Sequence, residues 1–208
     1  LRDNKGISAN TSSALAMATC VYICTLDHDD ILMPDALYEN ALAIQKIDPD
    51  VLYSDEIHLD VKGNYFFPLY KPDWSPDLLY SQMYICHFLV VRKTLMDEIR
   101  GFDTEHDGAQ DYNLMLNLSE KTDLIHHIPK ILYGWRETEQ SSASNADAKP
   151  YAHNAGLAAL DAHIKRKYGQ SSWAEDGGYT FVYRPRFNTL ADKPLVSIII
   201  PMKDKATL

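Results

Sequence analysis

The feature that most constrains this chain is a six-residue apolar run, Val21-Tyr22-Ile23-Cys24-Thr25-Leu26, that breaks abruptly into Asp27-His28-Asp29-Asp30 and soon meets Pro34. The run is too short for a buried helix and partly β-branched, so it reads as a strand buried on both faces. The segment that follows, from Pro34 to Ile47, is helical, with Leu37, Ala41 and Ile44 at helical spacing and Asp48-Pro49-Asp50 as its stop. A strand, an acidic turn and a helix in that order belong to an α/β sheet, where ligands bind beyond the carboxyl ends of the strands.

The pattern recurs. VLYSDE (51–56) is a second short strand ending in acids, and ICHFLVV (85–91) is a third buried one. DLIHHIPKILYGW (123–135) is extended, and Pro129 requires an edge or a bulge there. The opening residues predict a loop and then a small-residue helix through Ala18, with Ile7, Ala14, Leu15 and Ala18 as its buried face. YFFPLYKPDWSPDLL is proline-broken and reads as irregular. QDYNLMLNLSE (110–120) and YAHNAGLAALDAHIKRKYG (151–169) predict helices, the second ended by Gly169. Residues 170–193 read as a linker with one weak strand, and PLVSIIIPMKD (194–204) is the most β-like run of all.

Charge narrows the function classes. Asp and Glu number 29 against 20 Lys and Arg, a formal net charge of -9 without a basic cluster, which argues against nucleic-acid binding. An acidic protein that handles anions needs a metal to bridge them. Cys20, Cys24 and Cys86 are an odd number in apolar surroundings. They read as buried reduced thiols, which points to a cytoplasmic location. No apolar run approaches the length of a membrane span.

Several residues carry candidate chemistry. Carboxylates two apart after a strand, Asp27 and Asp29, can turn toward one hard cation, with Asp30 beside them. Mg2+ or Mn2+ prefers such oxygen ligands and can hold a diphosphate, although a solvated acidic turn is the plain alternative. Asp111 opens a helix after a glycine-bearing loop, where a carboxylate serves either as a general base or as a complement to the helix dipole. Asp55 and Glu56 end their strand as the first cluster does, and either can line the same pocket. Trp74, Tyr80, Tyr84 and Trp135 offer stacking surfaces for a sugar, or core packing. His126 and His127 alternate along a strand, so only one can face a site. Arg136 can reach a diphosphate.

In sequence order these motifs resemble the middle of a family 2 glycosyltransferase of the GT-A fold. The stretches that carry the likeness are NKGISAN, LDHDDILMPDAL, YSDE, KPDWSPDLL, GFD, AQDYNL and HIPKILYGWR. The resemblance runs from about Asn4 to Gly169 and points to bacterial members, often with tandem transferase domains, that build surface polysaccharides. It implies a mixed, Rossmann-like α/β sheet flanked by helices, incomplete at the N-terminal side. It places Asp27 and Asp29 on the DxD motif, the second ligating the metal and the first touching the ribose or the metal shell. Asp111 falls on the general base of the family's acidic pair, with Gln110 in place of the usual Glu. Asp27, Asp29, Asp30, Asp55 and Arg136 are expected on the donor side, and Trp74 and Trp135 on the acceptor side.

The resemblance further implies inverting, metal-dependent transfer from a UDP- or dTDP-linked sugar to a carbohydrate or lipid-linked acceptor, near the inner face of a membrane. On this reading residues 1–169 are the rear of one transferase domain, 170–193 a linker, and 194–208 the first strand of a second. The isolated chain is then expected to be weak or inactive. Leu195–Ile200 would suit the sheet's missing first strand, in its own chain or in a strand-swapped oligomer. Two other classes compete: a non-catalytic carbohydrate-binding module, and a Mg2+ phosphohydrolase. For the latter, Lys130 and Ser54 make an unconvincing supporting set.

Overall fold

A computed structural model describes residues 4–137, 150–188 and 195–201. The elements, in chain order, are α1 (Ile7–Leu15), β1 (Tyr22–Cys24), β2 (Ile31–Leu32), α2 (Ala36–Ile47), β3 (Val51–Leu59), β4 (Tyr65–Leu69) and α3 (Pro76–Leu79). They continue with β5 (Leu89–Arg92), α4 (Lys93–Glu98), α5 (Gln110–Ser119), β6 (Ile125–Arg136), α6 (Pro150–Tyr168), β7 (Trp173–Asp176) and β8 (Tyr183–Arg186). A 3-10 turn, Thr104–His106, precedes α5.

Six strands form one mixed sheet in the order β1-β5-β3-β6-β2, with β4 paired to β3. β3 and β6 run parallel at its centre, and the other pairings are antiparallel. Val51, Leu52 and Tyr53 of β3 are fully buried, as a central strand requires. Side chains alternate across the sheet, so it carries two cores. The larger joins Val51, Tyr53 and Val91 to α5 and α6 through Leu114, Met115, Leu118 and Leu160. The smaller joins Leu52, Val90 and Tyr133 to Ala36 and Ala43 of α2.

The structure corrects several expectations. β1 lies at the sheet edge, so Tyr22 and Ile23 are half-buried and Cys24 exposed instead of buried on both faces. Cys20 is exposed too, and both thiols are free. α1 buries only Ser8, while Ile7 is exposed and Leu15 merely packs on the larger core. The aromatic stretch is not wholly irregular, since Tyr65–Leu69 pairs with β3 as an outer strand whose Pro68 needs no ladder partner on the free side. Pro129 sits in a bulge, where Ser54 pairs with Ile128 and Asp55 with Ile131, skipping two residues.

The segment read as a linker packs on the body. β7 and β8 form a hairpin whose Tyr183 is buried, stacks on Tyr112 at 5.4 Å, and donates its backbone N–H to the Ser81 carbonyl at 2.8 Å. Residues 195–201 adopt neither strand nor helix, and Leu195, Val196, Ile198, Ile199 and Ile200 are exposed. Within the chain, therefore, Leu195–Ile200 does not fill the place beside β1. Among the described residues no helix is long and apolar enough to cross a membrane.

Candidate active site

The acidic turn after β1 is closed by a hydrogen bond from the Asp30 N–H to the Asp27 carbonyl, 3.2 Å long. A turn closed at i to i+3 brings its first and last residues together. Asp27 and Asp30 are therefore the carboxylates that meet His87, with ligand atoms of all three within 4.8 Å of one another. Asp29 stands outside that group, half-exposed, with Oδ1 3.6 Å from Nδ1 of the exposed His28.

The two close carboxylates have different surroundings. Asp30 accepts from the Tyr133 hydroxyl at 2.5 Å and from the Arg136 backbone N–H at 2.8 Å. Both of its oxygens thus tie the turn to β6, and burial holds its carboxyl above the ordinary range against those two bonds. The Asp27 side chain is 55% exposed, with Oδ2 3.9 Å from Nε2 of His87. Asp27 and His87 are thus left open toward a cation while Asp30 anchors the loop. Arg136 also grips the turn, donating from Nε to the Asp29 carbonyl at 2.9 Å.

His87 is the residue that sequence reasoning missed. Its ring stacks on Tyr133 at 4.9 Å, and its backbone N–H donates to Glu56 Oε2 at 3.2 Å. Glu56 is itself bonded at 3.0 Å to Lys71, whose ammonium also donates to the carbonyls of Ile85 and His87. Lys71 and Glu56 are both buried, and a buried pair of this kind stands only when its remaining hydrogen bonds are also satisfied. The pair clamps the loop that delivers His87. The only signal in the sequence was a histidine just before an apolar run, which has no periodicity to mark it.

Asp55 and Glu56 are not at a strand end. β3 continues to Leu59, which leaves both carboxylates inside the sheet. Asp55 accepts from the Lys71 backbone N–H at 2.9 Å and lies 2.9 Å from Nε2 of His127, whose other nitrogen lies 3.2 Å from Asp73. Asp55 is therefore structural and does not line the cleft described next. His127 is the buried member of the histidine pair.

Asp111 comes to the turn from the opposite side. A cleft of about 390 Å³ is lined by Asn10, Thr11, Asp27, His87, Gln110 and Asp111, among others. Burial raises the Asp111 carboxyl above the usual range, with His87 opposing the shift and Asp27 adding to it. That is the setting of a carboxylate tuned toward proton transfer. Trp74 packs on the larger core and Trp135 on the smaller, edge-on to His58 at 4.5 Å. Neither lines this cleft. Tyr80 and Tyr84 are core residues.

The mixed sheet thus carries an acidic turn beyond one strand and, facing it across a cleft, the half-buried Asp111. Residues 1–99 match the sequence model of glycosyl transferase family 2. The chain is 42% identical over 207 residues to an uncharacterized protein of Sinorhizobium fredii, covering 97% of this chain and 22% of that one. It is 40% identical over 199 residues to the O-antigen biosynthesis protein RfbC of Myxococcus xanthus, covering 95% and 15% respectively. The chain thus spans a fifth or less of the second relative and little more than a fifth of the first. In three dimensions it is similar to residues 1–349 of S. aureus TarS, solved in complex with UDP-GlcNAc, with a TM-score of 0.61, 19% identity, and coverage of 79% of this chain and 49% of that one. That likeness establishes a GT-A fold.

Proposed function

We propose that this chain supplies the cation and acceptor sides of a site that transfers a sugar, with inversion, from a UDP- or dTDP-linked donor to a surface polysaccharide or glycolipid. The observation that carries the proposal is the convergence of Asp27, His87 and Asp111, from three separate segments, on one cleft. The polysaccharide class is supported by the likeness to an O-antigen biosynthesis protein.

Asp27 and His87 would hold the Mn2+ or Mg2+, with Asp29 as second carboxylate once turned in from its place outside the cluster, and Asp30 would hold the turn. Two carboxylates suit either ion, and the imidazole tilts the set toward Mn2+. The ion supplies charge neutralisation to the departing diphosphate. Asp111 takes the proton from the acceptor hydroxyl as that oxygen attacks the anomeric carbon from the face opposite the diphosphate. One base is enough for a single inverting displacement, and no carboxylate nucleophile is required. Arg136, which steadies the turn, stands close enough in sequence and space to share the donor side. We place the site at the cytoplasmic face of a membrane, where lipid-linked acceptors are held.

A non-catalytic carbohydrate-binding module would keep the aromatic residues and have no use for a raised carboxyl beside an acidic turn. The test is transfer by the full-length protein and its Asp111→Asn variant. Loss of a general base lowers turnover by about 100- to 10,000-fold. Nucleotide binding should survive the substitution. Undiminished transfer in the variant would refute Asp111 as the base. The chain by itself is expected to transfer weakly or not at all.

A further inference from the structure

We propose that an open cavity between the start of α6 and the β7–β8 hairpin is a separate sugar-binding site, which grips a neutral unit of a glycan chain away from the reacting groups. The inference rests on the reading of this protein as a glycan-building transferase. The cavity holds about 420 Å³, within the usual span of small-molecule sites, roughly 300–1,000 Å³. None of its lining residues lines the cleft that carries Asp27, His87 and Asp111. Asn154, Asp176 and Thr180 supply polar walls, Tyr179 an aromatic one, and the half-buried His153 lies among them.

The hydrogen bonds around His153 define what the cavity offers. The Phe181 N–H donates to Nδ1 of His153 at 3.0 Å. An amide N–H can only donate, so Nδ1 is the unprotonated nitrogen and Nε2 carries the ring proton. Nε2 lies 3.3 Å from Asp176 Oδ2, while Asp176 Oδ1 accepts from the Gly178 N–H at 2.6 Å. The carboxylate is thus held in place from both sides, and the Gly178 N–H keeps its carboxyl below the ordinary range. Each of its oxygens has a lone pair left for a hydroxyl. The His153 ring is itself fixed, stacked on the buried Tyr183 at 5.1 Å.

A fixed carboxylate, an amide and a hydroxyl beside an aromatic face match the hydroxyl edge and apolar face of a sugar ring. Tyr179 is 77% exposed, so its ring is available to such a face. No Lys or Arg lines the cavity among the described residues, and the hairpin's Arg184 and Arg186 turn to Glu175 instead. Phosphate and uronate groups therefore find no counter-ion here, and a neutral ring is the better occupant. Thr180 also lines a smaller cavity that reaches Asp111, so one glycan chain can occupy the reacting end and this site together. A second grip of that kind keeps a chain near the base without adding any contact at the reacting atoms.

The experiment is photolabelling of the full-length protein with a diazirine-bearing glucoside and, in parallel, the matching amine-bearing glucosaminide. Peptide mapping reads where each attaches. Asn154 and Tyr179 are exposed, so Asn154→Ala and Tyr179→Ala strip the cavity without touching the core. The expected result is saturable glucoside labelling within residues 150–154 or 176–180. It should fall about tenfold or more in each variant, the loss of ~1.4 kcal/mol or more of binding. Excess UDP with Mn2+ should leave it in place. Glucoside labelling that maps only elsewhere, fails to saturate, or is unchanged by both substitutions overturns the proposal. Labelling of the cavity by the glucosaminide alone overturns it too, since the site would then recognise an amine. If the glucoside labels this cavity but the full-length protein transfers no sugar, the transferase reading falls and the sugar site stands. If the protein transfers sugar but the cavity takes no label, the sugar site alone falls.

Discussion

Asp111 is a half-buried charge and Lys71 a buried one, and they serve opposite ends. Among the described residues no cation bonds to Asp111, and burial raises its carboxyl. A base works only when deprotonated, so kcat/KM should fall as pH drops through that raised value. The acidic limb should therefore lie above the ordinary carboxylate range, and a pH–rate profile of the full-length protein measures it. A limb at an unperturbed aspartate value would contradict the assignment. Lys71 is fully partnered by Glu56 and two carbonyls. Lys71→Met leaves Glu56 buried without its cation, a change that costs about 3–5 kcal/mol. Denaturant unfolding should show that loss, and His87-dependent metal binding should weaken with it. Asp111 stands out in the sequence because it opens a helix after a glycine-bearing loop. The clamp was not, because Lys71 and Glu56 meet the loop 85–88 only through tertiary pairing.

At the scale of elements, the central strands were plain and the margins were not. β3 is buried along Val51–Glu56, and its apolar run reads as a strand, while Pro129 marks the bulge in β6 that the structure shows. β1 carries a similar run but lies at the edge, and strand order does not appear in hydrophobic pattern. The acidic turn was located correctly, but its closure pairs Asp27 with Asp30, a contact that i, i+2 spacing does not suggest. The β7–β8 hairpin was hidden by its polar, glycine-rich composition and revealed by one tyrosine. Tyr183 reaches α6 where Gly156 leaves room, and a Cβ at Gly156 would fall on the Tyr183 hydroxyl. Gly156→Ala should therefore displace the hairpin at about 1–3 kcal/mol, the usual cost of overpacking. Amide exchange should then rise in residues 178–186, and an unchanged hairpin would show that the helix yields instead.

For the whole molecule, the arrangement is a sheet whose acidic turn, half-buried Asp111 and added hairpin all address one region. β1 has no partner on its outer side among the described residues, and exposed Ile7, Met17, Val21 and Leu26 lie in or beside the segments that flank it. Unpaired strand edges invite pairing, so a strand-swapped assembly of copies remains a proposal of the fold rather than a property of the single chain. The sheet class and the likeness to family 2 were legible because many weak motifs fall in one order, while the donor sugar, acceptor and linkage leave no mark of that kind. The proposed transfer depends most on a metal-dependent donor site at the turn after β1. Calorimetric titration of UDP and dTDP into the full-length protein, with and without Mn2+, beside an Asp29→Ala variant, addresses it directly. Binding of one nucleotide should require Mn2+ and weaken about tenfold or more in the variant, ~1.4 kcal/mol or more. Binding that is as tight without the metal, or untouched by the substitution, would contradict the account.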